Sequence, residues 1–244
     1  MQVEFLICGA QKAGTTSLDG YCRSHPALAM PAEKELHFFD NDHLFQDRDP
    51  DYDRYHQFYG FTGGKLAGEA TPVYLYWPEA AQRIHRYNPA MKLIVLLRHP
   101  AERAYSHWHM EFARGLEQLS FSDAIRQEPQ RLAAAKPEQR RIWSYVDRGR
   151  YLGQLQRLWE LFSREQVLVL QSDELRRAPQ QALDRVSDFL DIAPFTDTGP
   201  LELNAQKYSL PLPDGDREFL ALQFAEDIAG LERELGWDLA AWRR

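Results

Sequence analysis

Two nearly continuous apolar runs, Val3–Cys8 and Leu93–Leu97, constrain the fold more strongly than any other feature of this sequence. Apolar runs of this length are typical of strands that are buried on both faces, and such strands occur in parallel sheets covered by helices. Short β-rich runs alternate with longer helical patterns along the chain. The predicted strands are Val3–Cys8, Lys65–Glu69, Lys92–Leu97 and Gln166–Leu170. We therefore predict an α/β fold, a central parallel sheet flanked by helices, with the two apolar runs as central strands.

Helix signals fill the segments between these strands. Proline at a first-turn position and amphipathic spacing predict helices that begin near Thr16, Pro78, Ala101, Ser122, Tyr151 and Pro179. Near the C-terminus, apolar residues recur at helical spacing from Leu220 to Leu235, and Gly236 closes the pattern. We expect this apolar stripe to pack in the core. The stretch Gln127–Arg141 is polar and contains two prolines, which is consistent with a helical insertion.

Length and composition favour one domain. With 244 residues, 44% hydrophobic and 27% charged, residues 1–244 are expected to form a single domain. The apolar runs are too short to span a bilayer and no leader pattern is visible, so no transmembrane segment is expected. The two cysteines lack metal-ligand spacing and suit a reducing, cytoplasmic location. A net charge of -7 gives no overall field that would attract nucleic acid.

The first apolar run leads through two glycines into a predicted helix. Residues Gly9–Ser17 read GAQKAGTTS. A turn of this kind presents successive backbone N–H groups and the positive end of a helix dipole to an anion, and Lys12 adds a full charge. The segment therefore predicts a phosphate or sulfate site, with a plain glycine-rich turn as the alternative.

The loop differs from the nucleoside-triphosphate version. Gly9 and Gly14 have the separation of that motif, yet Thr15 follows Gly14 where a lysine is expected, and the lysine lies inside the loop at Lys12. The second apolar run continues into Arg98 rather than into an aspartate that could hold magnesium. Hydrolysis of a magnesium-bound triphosphate is therefore disfavoured.

Two segments together resemble a known family. Lys12-x-Gly14-Thr15-Thr16 after the first strand, and Arg98 with Ser106 eight positions later, resemble the sulfotransferases that use 3′-phosphoadenosine 5′-phosphosulfate (PAPS). The resemblance is to bacterial members and to the heparan sulfate N- and O-sulfotransferase branch. It implies a P-loop NTPase-like sulfotransferase fold, PAPS as donor, adenosine 3′,5′-bisphosphate (PAP) as product and no metal. The implied 5′-phosphosulfate loop consists of Lys12, Ala13, Gly14, Thr15, Thr16 and Ser17, with Lys12 also acting in catalysis.

The resemblance assigns the 3′-phosphate to Arg98 and Ser106. A guanidinium matches a phosphate with two parallel hydrogen bonds, and a hydroxyl on a helix can complete the site. Arg103 is expected to be a solvated or salt-bridging neighbour. His107 and His109, on the same predicted helix, are expected to be structural.

The segment Glu35–Asp40, ELHFFD, resembles the E-x-H-F-F-D motif of the heparan sulfate type enzymes. The resemblance implies that Glu35 is the general base that removes the acceptor proton. His37 is the competing candidate, because imidazole titrates near neutrality. Phe38 and Phe39 could supply an apolar wall, and Glu33 is expected to be an exposed charge.

Three further positions follow from the resemblance. Gly68–Pro72 resembles the family's E-K-[ST]-P segment but carries Ala70 in place of the lysine, which puts a glycosaminoglycan acceptor in doubt. Tyr151 matches a tyrosine that contacts the nucleotide, although a core tyrosine is the alternative reading. Lys207 and Tyr208 lie where relatives have a basic loop that closes over the nucleotide.

The sequence therefore predicts a sulfotransferase that moves a sulfuryl group from PAPS to a hydroxyl or amine. The acceptor is expected to be a small molecule or carbohydrate, with a lipid or natural product also open, because acceptor choice depends on loops. A P-loop nucleotide kinase or phosphotransferase is one alternative, and a non-catalytic nucleotide-binding protein is the other.

Overall fold

A computed structural model describes residues 2–46, 50–60, 63–196, 198–199 and 211–243. The chain groups into two compact units, Met1–Leu97 with Leu155–Ala205, and Arg98–Gln154 with Gln206–Arg244. The prediction of a single domain over residues 1–244 stays a prediction. Within the described residues, no helix is long and apolar enough to cross a membrane.

The first unit is built on a five-stranded parallel sheet. Its strands are β1 Phe5–Gly9, β2 Leu28–Ala29, β3 Leu66–Ala70, β4 Lys92–Leu97 and β5 Val167–Gln171. They lie in the order β2-β3-β1-β4-β5, and every pairing is parallel. The predicted α/β fold with a central parallel sheet is confirmed. β4 coincides with its predicted range, and the other three predicted strands are displaced by one or two residues.

The two apolar runs lie in the interior of the sheet, as predicted. Phe5 to Cys8 of β1 and Leu93 to Leu97 of β4 are 0% exposed. Close packing also explains Gly68 of β3, which lies opposite Phe5. A Cβ at Gly68 would lie 2.0 Å from Cζ of Phe5, so a larger residue would displace the ring. β2 was not predicted, because it is only two residues long.

The helix bounds follow the sequence signals closely. The helices are α1 Thr15–Ser24, α2 Tyr52–His56, α3 Ala80–Tyr87, α4 Pro100–Ala113, α5 Phe121–Ala134, α6 Pro137–Trp143, α7 Tyr151–Trp159, α8 Ser172–Arg177, α9 Pro179–Leu190 and α10 Asp214–Leu235. Short 3₁₀ helices cover Asp42–Phe45, Asp147–Gly149, Arg164–Gln166 and Ala240–Arg243. The stretch Gln127–Arg141 lies mostly in α5 and α6. Gly236 ends α10 in the left-handed conformation, as expected.

The second unit packs α4, α5, α6 and α10 together with buried polar groups. The stripe on α10 is buried at Leu220, Phe224, Ile228 and Leu231, so the prediction of core packing is confirmed. Arg103 was predicted to be solvated or salt-bridging. The solvated alternative is wrong, and the salt-bridging alternative stays a prediction. Its side chain is 0% exposed and donates to the carbonyl oxygen of Tyr145. Buried cations occur where polar partners satisfy them, and the sequence does not show such partners.

Glu128 on α5 is a second buried charge of this unit. Its carboxylate accepts hydrogen bonds of 2.7 Å from the N–H groups of Val146 and Asp147, so it closes the turn that precedes α7. Burial raises the pKa of the Glu128 carboxyl to about 7, although these two N–H donors lower it.

Candidate functional site

The loop between β1 and α1 has the backbone conformation of an anion site. Lys12 and Gly14 both have positive φ values, 70° and 92°. Glycine adopts this left-handed conformation easily, whereas lysine does so at a cost, so the loop conformation is imposed by its surroundings. Two backbone hydrogen bonds hold it: Ala10 N–H to the carbonyl of Leu96 at 2.8 Å, and Ala13 N–H to the carbonyl of Ala10 at 3.1 Å.

The first turn of α1 faces this loop. Gly14 is its N-cap, and the N–H groups of Ser17 and Leu18 bond the Gly14 carbonyl at 3.0 and 3.2 Å. The N–H groups of Thr15 and Thr16 come before the first full helical turn and lack an intrahelical acceptor, as in every α-helix. The first turn carries no acidic side chain that would repel an anion. The geometry fits the predicted phosphosulfate loop over residues 12–17.

The predicted base lies in a short polar cluster. The side chain of Glu35 is 39% exposed, so an acceptor can reach it. Its carboxylate is 2.7 Å from Nζ of Lys34 and 3.7 Å from Nε2 of His37. On the other side of the imidazole, Nδ1 of His37 lies 2.9 Å from Oδ2 of Asp40, whose side chain is 0% exposed. The structure therefore brings Glu35, His37 and Asp40 into one line of contacts.

Sequence reasoning assigned no role to Asp40. In the line of contacts it orients the imidazole, since a buried carboxylate that accepts from Nδ1 leaves Nε2 directed toward Glu35. The motif could have pointed to Asp40, because this residue is the final aspartate of the E-x-H-F-F-D pattern. The predicted apolar wall takes another form. Phe38 and Phe39 are 5% and 0% exposed and pack into an aromatic cluster of the core.

A second missed contact comes from α3. Arg83 donates to the carbonyl of Phe39 at 2.9 Å and to Asp42 at 2.7 Å, and its guanidinium lies 4.5 Å from the ring centre of Phe45. It therefore fixes the chain just after the predicted base. Arg83 is 44 residues away from Phe39 in sequence, and no local pattern links them.

In the second unit, the predicted 3′-phosphate residues lie on or next to α4. Arg98 comes two residues before α4, and its Nη2 is 3.7 Å from an oxygen of Glu102. The other oxygen of Glu102 is 3.2 Å from Arg217 of α10. One carboxylate therefore holds two guanidinium groups near the start of the helix. Ser106 lies two turns along α4 and is 2% exposed.

Tyr151 has a structural contact in this unit. Its ring is 1% exposed, and its hydroxyl donates to the carbonyl oxygen of Arg98 at 2.9 Å. Burial raises its pKa to about 12, which keeps the hydroxyl protonated as a donor. Trp242 packs against Tyr151 with ring centres 6.3 Å apart. Tyr151 thus supports the backbone at Arg98, and its predicted contact with a nucleotide stays a prediction.

The remaining predicted residues fall into two groups. His107 is fully buried beside Glu111, in agreement with a structural role, and His109 is half-buried. Glu33 is exposed, as expected. Lys207 and Tyr208 lie outside the described residues.

Comparison with known proteins decides the family. A sulfotransferase domain model matches residues 2–211. The chain belongs to the sulfotransferase family. It is similar over its whole length to the crystal structure of a sulfotransferase from Alicyclobacillus acidocaldarius, at 32% identity, with a TM-score of 0.84 and 100% of both chains covered. The predicted family and fold are therefore confirmed.

Curated relatives extend the similarity to the heparan sulfate branch. The human heparan sulfate glucosamine 3-O-sulfotransferase 5 is 28% identical over 204 residues, which cover 83% of this chain and 57% of that protein. The bifunctional heparan sulfate N-deacetylase/N-sulfotransferase 1 of Caenorhabditis briggsae is 26% identical over 95% of this chain and 28% of that protein. This sulfotransferase thus spans about a quarter to somewhat over half of the length of these two relatives.

Proposed function

We propose that this chain transfers a sulfuryl group from PAPS to a hydroxyl or amine of an acceptor. The observation that carries the proposal is the left-handed turn at Lys12 and Gly14 at the start of α1, in a chain that belongs to the sulfotransferase family. Its N–H groups, the lysine charge and the lack of a first-turn carboxylate suit the phosphosulfate end of the donor.

The proposal assigns the 3′-phosphate to Arg98 and Ser106. Arg98 already lies against a carboxylate, Glu102, at 3.7 Å, so its guanidinium is directed before any ligand binds. The hydrogen bond from Tyr151 fixes the backbone at the same residue. Recognition of a 3′-phosphate would separate PAPS from ATP.

Glu35 is the proposed general base, with His37 as the alternative. The choice of Glu35 rests on its first position in the E-x-H-F-F-D motif. His37 is the more exposed side chain, at 48%, and its hydrogen bond with Asp40 through Nδ1 holds the ring with Nε2 directed toward Glu35. In this arrangement His37 orients the Glu35 carboxylate. The exposed fraction of Glu35, 39%, leaves room for a hydroxyl or amine to approach.

The donor supplies a sulfuryl group, which passes in line to the acceptor oxygen or nitrogen as PAP leaves. Glu35 accepts the proton that the acceptor loses. Lys12 and the N–H groups of Thr15 and Thr16 stabilise the negative charge that grows toward the departing phosphate. The loop backbone holds these N–H groups before the reaction, so in this proposal they stabilise the charge without a rearrangement of the loop.

The acceptor class and cellular location belong to the same proposal. The relatives named for heparan sulfate support a carbohydrate acceptor, and a small molecule is equally compatible with the exposed Glu35. Ala70, where the family pattern has lysine, argues against a glycosaminoglycan acceptor. We propose a cytoplasmic location, which both cysteines support because they are buried thiols. A metal-free reaction and the absence of a nucleic-acid partner remain part of the proposal.

Calorimetry with three nucleotides tests the donor assignment. PAP should bind without a divalent metal and about tenfold or more tightly than 5′-AMP, since a charge-assisted contact to the 3′-phosphate contributes about 1.5–3 kcal/mol. ATP with magnesium is the third ligand. Tighter binding of ATP with magnesium than of PAP would overturn the proposal in favour of a phosphotransferase.

A further inference from the structure

Glu69 is a buried carboxylate that none of the predicted roles uses. It lies in β3 and is 0% exposed. Three hydroxyl groups donate to it: Thr71 at 2.5 Å, Tyr74 at 2.8 Å, and Tyr55. Burial raises the pKa of the Glu69 carboxyl, whereas the three hydroxyl donors lower it. Burying a carboxylate costs free energy unless hydrogen-bond donors are held in place around it. Glu69 and its three hydroxyl donors therefore form a rigid network, in which Glu69 is the anchor.

Tyr74 connects this anchor to the segment that carries the predicted base. While its hydroxyl donates to Glu69, the same oxygen accepts the N–H of Phe38 at 3.0 Å and that of Phe39 at 3.4 Å. The N–H of Glu35 bonds the carbonyl of Ala70 at 3.1 Å. The segment is therefore tied at both ends, to the last residue of β3 and to the turn that follows this strand, with His37 between the two ties.

The backbone between these ties is in an unfavourable conformation. Glu35 and His37 have φ values of 62° and 52°. Residues with a Cβ adopt this left-handed region rarely, and they stay there only where surrounding contacts impose it. Glu35 and His37 are the two candidates for the general base, and this backbone conformation sets the direction of both side chains. The ties at Ala70 and Tyr74 are the contacts that impose this conformation.

We propose that Glu69 and Tyr74 are positioning residues of the sulfuryl transfer. The Glu69 carboxylate fixes the Tyr74 hydroxyl, and the hydroxyl fixes the N–H groups that follow His37. The backbone of the segment then holds the Glu35 carboxylate and the His37 ring in their observed line. This inference rests on the proposed function, because it takes Glu35 as the base. It extends that function with two residues that touch neither donor nor acceptor.

Tyr74→Phe is the direct variant, since it keeps the ring and removes only the hydroxyl. Tyr59→Phe is the matched control. Tyr59 belongs to the same aromatic cluster, and its hydroxyl donates to the carbonyl of Gly68 at 3.0 Å, also on β3. Both variants lose one buried hydroxyl, and only Tyr74→Phe releases the segment. Thermal unfolding should report a larger stability loss in Tyr74→Phe, because the Tyr74 hydroxyl makes three hydrogen bonds, whereas that of Tyr59 donates to Gly68.

Two measurements separate positioning from stability. Amide hydrogen exchange at Phe38 and Phe39, followed by NMR or by mass spectrometry of the surrounding peptide, should be faster in Tyr74→Phe and unchanged in Tyr59→Phe. Turnover is measured with PAPS and three probe acceptors, p-nitrophenol, glucosamine and unsulfated heparosan. Tyr74→Phe should lower kcat about tenfold to a hundredfold, the range expected when a catalytic group is displaced by about 1 Å. Its affinity for PAP should equal that of the wild type.

Unchanged exchange at Phe38 and Phe39, or equal kcat values in the two tyrosine variants, would overturn the inference. Glu69→Gln provides a second variant in case Tyr74→Phe does not fold. A neutral amide holds the tyrosine hydroxyl less tightly than a carboxylate, so exchange should rise and kcat fall in the same direction. Wild-type exchange and kcat in Glu69→Gln would contradict the role of Glu69.

Glu35→Gln in the same series keeps the two proposals distinct. If Glu35→Gln retains turnover, the assignment of the base fails. Amide exchange in Tyr74→Phe does not depend on turnover, so it still reports whether the hydroxyl holds the segment.

Discussion

Replacing Asp40 by asparagine tests the line of contacts at the predicted base. The carboxylate of Asp40 is 0% exposed and 2.9 Å from Nδ1 of His37, while Nε2 of His37 is 3.7 Å from Glu35. Asparagine keeps the size and one acceptor oxygen, so the change removes the charge and leaves the packing. The imidazole should then be held less firmly.

The expected loss follows from the strength of this one contact. A hydrogen bond to a charged group contributes about 1.5–3 kcal/mol and a neutral one about 1 kcal/mol, so the difference is roughly 0.5–2 kcal/mol. Because 1.4 kcal/mol corresponds to about a factor of ten, kcat should fall about twofold to thirtyfold. Glu35→Gln, which removes the base itself, should lower kcat by about two to four orders of magnitude.

Steady-state turnover of PAPS with the three probe acceptors measures both effects, and calorimetry with PAP shows that the donor site is intact. Wild-type kcat in Asp40→Asn would refute an orienting role for Asp40. Near-normal turnover in Glu35→Gln, together with loss of activity and intact PAP binding in His37→Ala, would show that the imidazole is the base.

Three further outcomes are expected. Arg98→Ala should weaken PAP binding about tenfold or more and leave 5′-AMP binding nearly unchanged, because the guanidinium is assigned to the 3′-phosphate; calorimetry showing equal losses for both would contradict this. Lys12→Ala should lower kcat more than it weakens PAP binding, since its charge meets charge that grows in the transition state; unchanged kcat with a raised KM for PAPS would count against it. The folded pKa of Glu128, about 7, exceeds its ordinary value of 4.5. The folded state therefore binds the extra proton, and stability relative to Glu128→Gln should decrease by about 3 kcal/mol as pH rises from 4.5 through 7, as denaturant unfolding at several pH values would measure.

The fold was predictable because burial on both faces leaves a direct mark in sequence. The runs that became β1 and β4 are apolar at almost every position, proline begins α4 and α9, and glycine ends α10. β2 could not be predicted, because a strand of two residues is too short to show an alternating pattern of apolar and polar residues. The burial of Arg103 was not predicted for another reason. Its hydrogen-bond partner, the carbonyl of Tyr145, is 42 residues away, and charged residues are mostly exposed.

The parts of the candidate site that depend on neighbouring residues in the sequence could be predicted. Gly14 signals the left-handed turn of the loop, because glycine is the residue that such a turn favours. The same conformation at Glu35 and His37 left no signal, since neither residue type prefers it. Its cause lies in the hydrogen bonds of the segment to Ala70 and Tyr74, which are distant in sequence and which motifs do not reveal.

Transfer of label from PAPS tests the central claim most directly. The protein is incubated with PAPS radiolabelled in the sulfuryl group and with p-nitrophenol, glucosamine or unsulfated heparosan, and both acceptor label and PAP are quantified. We expect label to appear on at least one acceptor, with one PAP released for each sulfuryl group transferred. Lys12→Ala should transfer label much more slowly than the wild type. Label transfer from γ-labelled ATP with magnesium, with PAPS left unconsumed under the same conditions, would contradict a sulfotransferase.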